Sequence, residues 1–93
     1  MHSEEWLKSQ QMAAIEAPLA VELNEARERY DRAKAEFDLA LSQARDIGLN
    51  RQDGAFAVRT ATRKYNLNLE HYHEALVRFS DFILRGKIPR DPN

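Results

Sequence analysis

Two stretches decide the fold: LAVELNEARERYDRAKAEFDLALSQARDI from Leu19 to Ile47, and VRTATRKYNLNLEHYHEALVRFSDF from Val58 to Phe82. In the first, Leu19, Leu23, Ala26, Tyr30, Ala33, Phe37, Ala40, Ala44 and Ile47 recur at alternating steps of four and three. In the second, Val58, Ala61, Tyr65, Asn68, Tyr72, Ala75, Phe79 and Phe82 recur in the same way. That spacing is the seam of a supercoiled helix. When the second stretch is folded back on the first about Leu49, bulky residues fall on small ones: Phe37 on Ala61, Leu23 on Ala75, Tyr65 on Ala33, Tyr72 on Ala26, and Tyr30 on Asn68. A core packed near crystal density requires this interdigitation, and an arbitrary pair of amphipathic helices would not supply it. The expected fold class is all-α, an antiparallel hairpin of two long helices over about 19–46 and 51–85.

Outward from these stretches, residues 3–16 read as a short first helix. Ser3 can cap it, Glu4 and Glu5 suit its positive end, and Trp6, Leu7, Met12 and Ile15 give it apolar surface. Pro18 follows. It has no amide hydrogen, and its ring collides with the carbonyl four residues earlier, so the helix is expected to break or restart there. Gly48 is expected to end the second helix, with Leu49 closing the hydrophobic contact, and Asn50 to cap the third. Gly86 and Pro89 should stop the third helix, leaving 87–93 as a polar tail. The chain thus reads as one helical domain over 1–93, made of a first helix (1–17), a hairpin (18–86) and a tail.

Charge supports the pairing. Residues 1–49 carry six Lys or Arg against ten acids, and residues 50–93 carry eight against five, so the halves are opposite in sign. The positions flanking the seam bring Glu36 to Lys64, Glu22 to Arg78, and Arg29 to His71. Each such surface pair is worth only about 0.2–1 kcal/mol, enough to favour one orientation. The chain lacks Cys, which removes disulfides and thiolate chemistry. Its apolar runs are too short to span a bilayer, and the acidic start is unlike a signal peptide, so a cytoplasmic location and no membrane partner are expected.

One flank of the third helix is more apolar than a two-helix fold needs. Thr62, Leu69, Leu76 and Ile83 recur every seven residues, with Val77 and Leu84 beside them. Burying one such aliphatic side chain is worth roughly 1.5–3 kcal/mol, so something should cover them. Either the first helix folds back at Pro18 and lays Trp6 on this flank, or two hairpins pair as a four-helix bundle. The expected role is a noncatalytic interaction or structural module that associates with itself or docks on another helical protein through Leu69, Leu76, Val77, Ile83, Leu84 and Trp6. The alternative is a small dimer that binds nucleic acid through Arg59, Arg63, Lys64, Arg78, Arg85 and Lys87.

Catalysis and cofactors find no support. Ser42, Ser80 and the threonines sit in no nucleophile elbow, and Gly48, Gly54 and Gly86 are scattered as ends or turns without forming a phosphate cradle. Glu70 and His73 have the Glu-x-x-His spacing of di-iron bundles, but Tyr72 takes the core position and turns them outward. No enzyme, metal, cofactor or small-molecule substrate is therefore expected. Asn68, polar at a core position, is expected to set register by bonding the Tyr30 phenol. In length and hairpin shape the chain is similar to the small secreted hairpins of the Trp-x-Gly class, although its turn reads Ile47-Gly48-Leu49-Asn50 and its Trp is Trp6. It is also similar to the plasmid-copy-control RNA-binding hairpin dimer in alternating small and large core layers.

Overall fold

The computed structural model describes residues 2–47 and 52–86, all helical except Gly86. Helix α1 spans His2–Ile47 and helix α2 spans Gln52–Arg85, packed against each other as a hairpin. The expected hairpin is present. The predicted caps and stop at Gly48, Leu49 and Asn50 lie outside the described residues, as does the 87–93 tail. At the far end of α2, Gly86 adopts φ 63° and its N–H donates to the Phe82 carbonyl at 2.9 Å. This left-handed stop satisfies one of the carbonyls that a helix leaves open, and glycine takes it without a Cβ penalty.

The separate first helix is not found: α1 runs without interruption through Pro18. At about 1.5 Å per residue, its 46 residues account for nearly the whole 71 Å long axis of the molecule. Proline deprives the Ala14 carbonyl of its partner, yet both Pro18 and Ala14 are exposed, so water can take the vacant bond. Immediately beyond Pro18, Leu19 is buried against α2 and holds the chain in helical direction. Trp6, Leu7 and Met12 consequently do not fold back on α2 and stay exposed.

Helix α2 is shorter, with 34 residues. From the Glu22–Arg78 ion pair, the remaining turns to Arg85 bring α2 back only to the level of about Ile15. The segment of α1 from His2 to about Ala14 therefore projects beyond the last turn of α2 for roughly 20 Å. Sequence and shape agree here. Continued past Leu19, the seam positions become Glu16, Met12, Ser9 and Glu5, three of the four polar.

Within the paired region, four aromatic rings alternate between the helices. Phe37 stacks on Tyr65, Tyr65 meets Tyr30, and Tyr30 stacks on Tyr72, with centroids 5.5, 5.6 and 5.5 Å apart. Such offset contacts add about 0.5–1.5 kcal/mol beyond area burial. The rings are only half-buried, whereas Ala26, Ala33, Ala44 and Ala75 are enclosed. Near the open end Leu19 and Phe82 are enclosed as well, so the half-buried rings are those of the central row. Gly54, expected to mark a turn, lies in the first turn of α2 and is buried. The register sets it opposite Ala44, where side chains larger than a methyl would hold the helices apart. Asn68 does not reach Tyr30: its amide donates to its own helix at the Lys64 carbonyl, 2.8 Å away, while the Tyr30 hydroxyl lies 3.4 Å from that of Tyr65.

Enclosed small residues should tolerate enlargement poorly. Ala33, at 1% exposure, is enclosed between the helices, and Ala33→Leu should destabilise the hairpin by about 1–3 kcal/mol in urea unfolding. Phe37→Ala should fall below the roughly 3–5 kcal/mol of a fully enclosed phenylalanine, because one rim of the ring is already wet.

Candidate interaction surface

Heptad geometry makes the two edges of the hairpin unlike. Lys64 lies three residues after Ala61 and four before Asn68, and Arg78 lies three after Ala75, so both stand beside the narrow seam positions. On this edge Lys64 Nζ donates to Glu36 Oε2 at 2.8 Å, and Arg78 donates to the Glu22 carboxylate. Both ion pairs are those expected from the sequence. No hydrogen bond or ion pair joins Arg29 to His71 among the described residues. Arg29 instead lines a shallow groove of about 200 Å³ with Arg32, Ala33, Glu36, Lys64 and Asn68, where small seam residues leave a trough between the helices.

The opposite edge carries the aromatics. Leu69 lies four residues after Tyr65 and three before Tyr72, Leu76 stands likewise between Tyr72 and Phe79, and Ile83 follows Phe79 by four. These aliphatic side chains therefore extend the wet rims of the rings into one apolar surface. Leu69 and Leu76 are each 41% exposed, Val77 44%, Ile83 48% and Leu84 80%. The hairpin alone leaves the flank uncovered. On α1, the same edge carries Ala13 and Ala20 in the half away from the turn, then the exposed cations Arg27 and Lys34, and half-buried Leu41 nearest the turn. Arg27 and Lys34 thus separate Leu41 from the apolar stretch at the open end of the hairpin, where the projecting segment with Trp6, 61% exposed, continues it. Sequence spacing located the α2 flank, but its continuation onto α1 was hidden by the expected break at Pro18.

The candidate basic residues do not form an unencumbered stripe. Lys64 and Arg78 are engaged across the seam, and Arg85 lies 3.9 Å from Asp81 one turn earlier. Arg59 and Arg63 are exposed near the turn end of α2, and Lys87 lies outside the described residues. At the Glu70–Glu74 cluster, Tyr72 occupies the seam and Glu70, His71, His73 and Glu74 point to solvent. Among the described residues, no three His, Asp or Glu side chains converge to hold a metal ion, and no helix is long and apolar enough to cross a membrane.

The Tyr30 phenol is held above its ordinary pKa, first by its hydrogen bond with Tyr65 and then by partial burial. A raised phenol pKa favours the protonated fold. Its contribution is complete below the unfolded value near 10 and is lost as pH rises through the folded value. Tyr30→Phe should therefore blunt the alkaline loss of melting temperature relative to the unaltered chain, as read by circular dichroism above pH 9 or so. No family model, curated protein or solved structure matches this chain.

Proposed function

We propose that the chain is a noncatalytic helical interaction module that associates with a second copy of itself through the apolar edge of α2. The observation that carries this reading is the unbroken run of Leu69, Leu76 and Ile83, with Val77 and Leu84, at 41–80% exposure beside half-buried aromatic rings. In water these groups forfeit burial worth roughly 25 cal/mol per Å². With the exposed Trp6, Leu7 and Met12 of the projecting segment, they form a surface for a second chain to cover, and a standard interface buries about 800 Å² per partner. Four-helix packing is the common way to enclose such an edge, and the ion pairs on the other edge leave this one as the face to be covered.

The nucleic-acid alternative is less well supported, since two of its cations are spent on Glu36 and Glu22 within the chain. Salt distinguishes the two. An apolar association should hold or tighten between about 0.1 and 1 M salt, whereas phosphate contacts weaken steeply over the same range.

Sedimentation equilibrium should return twice the 10.8 kDa of one chain at micromolar concentration. Leu76→Glu, at a site already partly in water, should return the single-chain mass while keeping its helical circular dichroism, because a carboxylate cannot be buried there unpaired. A single-chain mass for the unaltered protein across the concentration range would overturn the proposal.

A further inference from the structure

The projecting segment of α1 and the bare edge of α2 lie at the same end of the molecule, and neither is covered by other described residues of its own chain. Because α1 stays helical through Pro18, Trp6 and Leu7 are carried beyond the last turn of α2. Continuing the heptad from Ala20 through Ala13 places Trp6 on the apolar edge, with Leu7 beside it. Each chain therefore owns both halves of a contact: an apolar helix without a groove, and an apolar groove without a helix.

We infer, on the basis of the self-association proposed above, that the occupant of the α2 edge is the projecting α1 segment of a second copy. The two hairpins are joined antiparallel by their open ends. A twofold axis across those ends lets each segment lie over the partner's α2 while the partner does the same in return, so the contact is isologous and closes at two chains.

Lengths match. The segment projects for roughly 20 Å, and Leu69 to Leu84 rises about 22 Å along α2. Charge matches as well. The apolar part of the α1 edge stops at exposed Arg27, and a segment laid along it from the partner begins with exposed Glu4 and Glu5. A side-by-side dimer over the full length would instead press Arg27 and Lys34 of both chains into the interface, where unpaired cations are costly.

Trp6 is the sole tryptophan, so its emission reports on this contact alone. On concentrating the full chain, emission should shift to shorter wavelength in step with the rise from single to double mass. Leu7→Glu, beyond the reach of α2 and therefore harmless to the hairpin, should raise the dimer dissociation constant by about tenfold or more. Arg27→Glu should also weaken the dimer, and adding Glu4→Lys and Glu5→Lys should restore it. Leu39→Glu, exposed on α1 but nearer the turn, should change neither mass nor emission. A doubled mass with Trp6 emission unmoved by dilution, or a dimer indifferent to Leu7→Glu, would overturn the projecting segment as occupant while leaving self-association standing. A chain that remains single at every concentration would overturn both.

Discussion

The alternation of aromatic rings with alanines across the seam is the constraint on which this molecule rests. Phe37, Tyr65, Tyr30 and Tyr72 form a continuous row in which each ring on one helix is followed by a ring on the other. Sliding α2 by one residue would carry the rings off the seam, and sliding it by one turn would set ring against ring at full overlap. Alanines at 26, 33 and 75 let the backbones come close enough for the row to form. Register, depth of packing and the position of both edges follow from it.

This constraint also explains an unusual core. With a radius of gyration of 19.7 Å, against about 12 Å for a compact chain of this length, the hairpin has little interior. Alanines take most of the enclosed sites, with Leu19 and Phe82 at the open end, and the four rings of the central row keep one rim in water. The same economy leaves the wet rims beside Leu69, Leu76 and Ile83. An apolar edge is thus a by-product of building the seam from aromatics, and self-association is the reading that gives that edge a use.

Much of this was legible from residue order. Size alternation gives the register directly, because packing admits few alternatives, and the register in turn sets Glu36 beside Lys64 and Glu22 beside Arg78. Pro18 misled for a physical reason: its penalty depends on whether the freed Ala14 carbonyl reaches water, which spacing alone does not reveal. Asn68 misled similarly, since a carbonyl one turn back on its own helix satisfies the amide before the Tyr30 phenol can. Gly54 looked like punctuation but serves as a close-approach site within α2. The α2 part of the candidate surface could be read from a seven-residue spacing. Its α1 part depended on the continuity of the helix, and so became visible only with the fold.

Continuity through Pro18 has a mechanical consequence. Backbone hydrogen bonding along α1 couples the tip near Trp6 to the alanine-lined seam some turns away, so the segment behaves as a stiff lever. The rung missing from its ladder lies between Ala14 and Pro18, just before Leu19, the first enclosed side chain among the described residues of the helix. A proline turn is where a helix bends most readily, so substitution there should change the angle of the lever without disturbing the row of rings.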